Sequence, residues 1–169
     1  MVEINHRFIE TNNISMHVAE AGIAGPLVIM CHGFPELWYT WRHQLTALAE
    51  AGYHAVAPDQ RGYGQTDRPP RIEDYNIFQL VGDIVGLVNA LGEKRAIVIG
   101  HDWGSTVASH CVLLRPDIFQ AVIQISVPYL PRGRGRIPLT ERMKKAYGNE
   151  IFYQVMFQEP ARSMPKYSR

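Results

Sequence analysis

The stretch Gly100-His101-Asp102-Trp103-Gly104 constrains this chain more than any other feature. It follows the apolar run Arg95-Ala-Ile-Val-Ile-Gly100 and precedes a helical pattern from Trp103 to about Leu114, so a strand must turn sharply into a helix at Asp102. Such a turn is strained, and the residues two before and two after its centre must be small for strand and helix to pack closely. Gly100 and Gly104 meet that need. Serine at the centre would need a histidine to remove its proton, whereas a carboxylate is already ionised at neutral pH. Asp102 is therefore a candidate nucleophile. Attack by a carboxylate on an sp3 carbon that carries a leaving oxygen or halogen yields an ester, which points to epoxides or alkyl halides rather than peptides. The competing reading makes Asp102 a helix cap that accepts backbone N–H bonds; the flanking glycines favour the nucleophile.

Around this elbow, apolar runs alternate with helical patterns, the signature of a mostly parallel sheet covered on both faces. A hairpin is expected from Phe8 to Glu20, turning at Asn12-Asn13. Strands are expected at Leu27–Cys31, His54–Pro58, Arg95–Gly100 and Phe119–Ser126. Helices are expected from Trp38 to Ala51, Asn76 to Leu91, Trp103 to Leu114 and Thr140 to Gln158. Between Pro128 and Pro138 the composition shifts to Pro, Arg and Gly, an excursion out of the sheet. Residues 1–130 form the expected α/β core and 131–169 a second region.

The chain is long enough at 169 residues for one domain with a sizeable core, and no window reaches membrane-span length. Its start lacks the basic-then-apolar pattern of a secretory signal, so the expected location is the cytoplasm. Cys31 and Cys111 accordingly read as reduced, buried thiols. The net charge of +1 conceals an asymmetry: acids outnumber bases up to Pro131, and bases outnumber acids beyond it. The basic residues are dispersed without an aromatic platform, so nucleic acid is not an expected partner. No metal-ligand spacing is present.

Three further motifs accompany the elbow: His32-Gly33-Phe34-Pro35-Glu36 after the second strand, Asp59-Gln60-Arg61-Gly62-Tyr63-Gly64 after the third, and Tyr153-Gln154 through Gln158-Glu159-Pro160 near the end. Together, and in this order, they resemble the epoxide hydrolases of the α/β-hydrolase fold from about Phe8 to Pro160. The resemblance implies that Asp102 opens the ring, that backbone N–H groups of Phe34 and Trp103 form the oxyanion hole, and that Tyr153, on a helical cap, protonates the leaving oxygen. It implies that Phe34, Pro35 and Trp103 line an apolar pocket for a small hydrophobic epoxide, with water as second reactant and no cofactor or metal. Tyr153 also fits a core aromatic of a cap helix. His32, Gly33, Asp59 and Arg61 read as structural, the last two in a local polar network. His101 is expected to point away from substrate, and Trp38, Tyr39 and Trp41 fit helix packing at least as well as substrate contact.

The chain departs from the family in two ways. The family needs a late histidine to activate water against the ester, with an acid to orient it; all seven histidines here stand at or before His110. The expectation is an N-terminal part of an epoxide hydrolase, ending within the cap and leaving the Phe119–Ser126 strand with an unpaired, apolar edge. Residues 161–169 have no acid where the family continues with an acidic helical segment, which suggests an out-of-frame or artificial ending. The rivals are a dehalogenase of the same fold, opposed by Phe34 and Trp103 where such enzymes tend to carry Asn and Arg, and a non-catalytic binding module.

Overall fold

The computed structural model describes residues 2–129 and 139–147. Contacts divide the chain into two units, Met1–Tyr129 and Leu130–Arg169. The first contains strands β1 (Asn5–Thr11), β2 (Ile14–Ala21), β3 (Leu27–Cys31), β4 (His54–Pro58), β5 (Ala96–His101) and β6 (Phe119–Ile125), and helices α1 (Arg42–Glu50), α2 (Ile77–Ala90) and α3 (Trp103–Leu114). Of the second, helix α4 (Leu139–Tyr147) is described. It begins one residue before the expected Thr140–Gln158 helix and covers that span as far as Tyr147; the rest of the span, with Tyr153, lies outside the described residues.

The strands form one sheet in the order β1-β2-β4-β3-β5-β6. The β1–β2 and β2–β4 pairs are antiparallel, and β3–β4, β3–β5 and β5–β6 are parallel. The hairpin turns at Asn12 and Asn13, both with positive φ, as a two-residue loop between right-twisted strands requires. Alternation along β3 shows how the core is divided. Leu27, Ile29 and Cys31 join the cluster under α2 and α3, while Val28 and Met30 join the one that contains Trp41 and Leu45 by α1. Both faces of β3 are thus buried, which explains its unbroken apolar sequence.

The expected helix from Trp38 splits into a 3-10 turn, Trp38–Trp41, followed by α1. Trp41 is buried and Trp38 packs against the same cluster, but Tyr39 stands 57 % exposed and is no part of the core. Asn76 caps α2, its Oδ1 accepting from the N–H groups of Phe78 and Gln79. Cys31 and Cys111 are both free and buried. Among the described residues β6 is an outer strand, with Ile123 and Ile125 exposed.

The chain passes from β3 to β4 on one side and returns to β5 on the other. Loops after β3 and β5 therefore diverge at β3, and the crevice between their carboxyl ends is where open α/β sheets place ligands.

Candidate active site

Asp102 ends β5 with φ 50° and ψ −119°, a conformation that side-chain-bearing residues adopt only under constraint. The constraint is visible on both sides. The Asp102 N–H donates to the Ile125 carbonyl at 3.2 Å, and the Asp102 carbonyl accepts from Ser105 N–H at 3.0 Å. A side chain at Gly100 would strike the Gly104 carbonyl, and one at Gly104 the carbonyls of Cys31 and His32. The two glycines are thus required by close backbone approach.

The Asp102 carboxylate makes no cap hydrogen bond to α3. Its Oδ1 instead accepts from the Phe34 N–H, at 2.9 Å, across from the β3 loop. Among the described residues this is the hydrogen bond that the carboxylate receives from outside its own turn. That geometry speaks against the cap reading, since a cap would have turned back on its own helix.

The β3 loop is held by two side chains. His32 is fully buried; its Nε2 accepts from Gln60 N–H at 3.0 Å, so Nδ1 carries the proton and donates to the Gly33 carbonyl at 2.8 Å. Burial lowers its pKa, with the Gly33 bond and the Asp59 and Glu36 charges opposing, and the neutral form fits both bonds. Glu36 Oε2 accepts from Gly33 N–H at 2.9 Å and meets His101 Nδ1 at 3.0 Å, tying the loop to the residue before the nucleophile. Nothing in the sequence singles out Glu36 beyond its place in the motif. The Phe34-Pro35 peptide bond is cis. A Cβ on Gly33 would lie 2.6 Å from the Asp102 Cβ, so this glycine leaves room for the Asp102 side chain.

Asp59 and Arg61 are both in polar networks, but in different ones. Asp59, buried, accepts from Trp38 N–H at 3.0 Å and meets His17 Nδ1 at 2.8 Å, which pins the hairpin to the start of the 3-10 turn. Arg61 reaches away to Asp83 on α2, with its Nε donating at 2.8 Å, while Asn12 Nδ2 donates to the same carboxylate at 2.9 Å. Burial raises the Asp83 pKa and the Arg61 and Asn12 bonds pull it back. The signal for this pair was present in the sequence: Asp83 is the sole charged residue of α2.

Phe34, Pro35 and Trp103 stand exposed on this unit around Asp102. Other histidines are engaged elsewhere: His54 with Glu20, His6 with His17, and His110 with the Thr106 carbonyl. Among the described residues no cluster of His, Cys, Asp and Glu could hold a metal, and no helix is long and apolar enough to cross a membrane.

Residues 26–143 match the family described as the alpha/beta hydrolase fold. Epoxide hydrolase A of Mycobacterium tuberculosis is 50% identical over 155 residues, 91% of this chain and 48% of that protein. Epoxide hydrolase 3 of Siraitia grosvenorii is 46% identical, covering 95% of this chain and 50% of that protein. Among solved structures, an epoxide hydrolase from Vigna radiata superposes with a TM-score of 0.86 at 49% identity, covering 94% of this chain and 51% of that one. The chain thus spans about half the length of the relatives it matches.

Proposed function

The chain belongs to the α/β-hydrolase fold family, and from that premise we propose that it carries the ester-forming half of an epoxide hydrolase. The observation that supports this most directly is the Asp102 carboxylate held by Phe34 N–H instead of by its own helix. A carboxylate oxygen of Asp102 attacks an epoxide carbon. A carbon–oxygen ester bond forms, the ring C–O bond breaks, and its electron pair passes to the ring oxygen as an alkoxide.

That alkoxide takes a proton from Tyr153, which we assign to the cap together with the rest of 131–169; a positioned acid is worth about 100- to 10,000-fold. In the second step water adds to the ester carbonyl, the oxyanion forms on Oδ1, and the N–H groups of Phe34 and Trp103 receive it before a vicinal diol leaves. Phe34, Pro35 and Trp103 supply the apolar wall for a small hydrophobic epoxide. The second step needs a general base. His17 and His32 are spent on buried structural bonds, and none of the seven histidines matches the family's base. Taken alone, these residues accumulate the ester. The buried free thiols Cys31 and Cys111 support a reducing compartment such as the cytoplasm.

Intact-protein mass spectrometry after incubation with a small aromatic epoxide tests the proposal. The expected result is a gain of one epoxide mass, absent in Asp102→Asn. Equal labelling of both proteins would place alkylation on unrelated nucleophiles and overturn the reading, as would the absence of any adduct on folded protein. A parallel incubation with an alkyl chloride reads out the dehalogenase alternative, as an alkyl adduct with halide release.

A further inference from the structure

A second strained residue stands beside the nucleophile. Ser126, at the end of β6, has φ 74°. The Val127 N–H donates back to the Ile125 carbonyl at 3.0 Å, which makes Ser126 the centre of a γ-turn of the rare positive-φ kind. The same Ile125 carbonyl accepts the Asp102 N–H at 3.2 Å. One oxygen therefore joins two residues that both occupy the left-handed half of backbone space. A serine does not hold such a turn unaided, since a Cβ crowds the backbone at positive φ.

The turn is closed from α3. The hydroxyl of Ser105, fully buried, donates to the Val127 carbonyl, and the Ser105 N–H donates to the Asp102 carbonyl at 3.0 Å. Ser105 thus grips both ends of the arrangement, the elbow through its backbone and the γ-turn through its side chain. The Ser109 hydroxyl continues the chain, donating to the Ser105 carbonyl at 2.6 Å and accepting from Gln124 on β6.

We infer that Ser105 is a positioning residue for the nucleophile: its hydroxyl keeps the strained γ-turn at Ser126 closed, and the closed turn aims the Ile125 carbonyl at the Asp102 N–H. The backbone of Asp102 is thereby fixed at the one φ that presents its carboxylate to Phe34 N–H. This inference rests on the ester-forming role proposed for Asp102 where it concerns rate, and on geometry alone where it concerns the Asp102 amide.

The test uses the 169-residue chain and three variants, Ser105→Ala, Ser126→Gly and the double variant. The limiting rate of ester formation and the half-saturating concentration of a small aromatic epoxide are read by intact mass. Exchange of the Asp102 amide is read by NMR. Ser105→Ala is expected to lower the limiting rate by about tenfold with the half-saturating concentration unchanged, as loss of orientation does. Its Asp102 amide exchanges about fivefold faster, the loss of roughly one hydrogen bond. Glycine takes φ 74° without strain, so Ser126→Gly alone leaves rate and exchange near the parent values and restores both in the Ser105→Ala background. Rescue of that kind is not expected if Ser105 merely stabilises the fold. Unchanged exchange in Ser105→Ala, or a loss that Ser126→Gly fails to reverse, overturns the inference. If the parent forms no ester, the nucleophile reading fails, while the exchange comparison still decides whether Ser105 holds the elbow.

Discussion

Gly33→Ala isolates the contact on which the site depends. The added Cβ would lie 2.6 Å from the Asp102 Cβ, 2.9 Å from Oδ1 and 3.1 Å from Cγ. Ordinary carbon contact needs roughly 3.5 Å, so the loop and the elbow must separate by about 1 Å. The Asp102 Cβ cannot rotate away, because it is set by a backbone fixed through Ile125 and Ser105. The separation is therefore taken by the β3 loop, and it stretches the 2.9 Å bond from Phe34 N–H beyond hydrogen-bonding range.

A misplacement of that size costs roughly 100-fold in rate, while overpacking costs about 1–3 kcal/mol of stability. Ester formation at saturating epoxide, followed by intact mass, gives the first quantity, and urea unfolding gives the second. Gly52→Ala is the control. Its Cβ meets nothing within 4 Å but must accept φ 88°, so it should lose about 1–2 kcal/mol of stability and keep the parent rate. A folded Gly33→Ala protein that forms ester within about threefold of the parent rate would refute the claim that loop-to-elbow spacing sets the chemistry.

Arg61→Met strands the buried Asp83 carboxylate and should cost about 3–5 kcal/mol in urea unfolding, most of it recovered by adding Asp83→Leu. His32 has a folded pKa below its ordinary 6.5, so it binds a proton less readily folded than unfolded; its stabilisation is complete above pH 6.5 and is lost as the pH falls from there through the lowered folded value. Unfolding midpoints measured on either side of that window should fall toward acid, and less steeply in His32→Gln. Burial pushes the Cys31 thiol up to about 12 and the Cys111 thiol higher still, so neither should react with a thiol reagent at pH 8 until the chain unfolds.

The sequence was most legible where backbone sterics dictate residue type. Strands Leu27–Cys31 and His54–Pro58 and the helix Trp103–Leu114 have the bounds their patterns suggest, and Asn12-Asn13 turns the hairpin. At Asp102 the flanking glycines favour a nucleophile over a cap, and what the sequence does not show is the direction of the carboxylate, which turns to the Phe34 N–H and not to its own helix. Asp59 and Arg61 are neighbours in sequence but serve different partners, because the chain turns between them and sends Arg61 toward α2. The sequence pattern puts Ser126 at the end of a strand, since a serine there gives no local sign of a positive φ; the φ of 74° goes with the bond from Val127 N–H to the Ile125 carbonyl. Glu36 acts through Gly33 and His101, a link of 65 residues that no local pattern could express.

The site is assembled from backbone contributed by three adjacent parallel strands. β5 presents Asp102, β3 presents the Phe34 N–H, and β6 presents the Ile125 carbonyl. Main-chain groups at the ends of hydrogen-bonded strands lose little further freedom when they act, so they hold their aim without reorganising during the reaction. The side chains of Phe34 and Trp103, by contrast, stand exposed on this unit. In the proposed reaction, chemistry and substrate fit would then be borne by different atoms of the same residues, the N–H groups for charge and the rings for shape. Exchange of either ring would, on that proposal, alter the choice of epoxide while the donors stay in place, but no side chain can be added at Gly33, Gly100 or Gly104 without moving the backbone around Asp102.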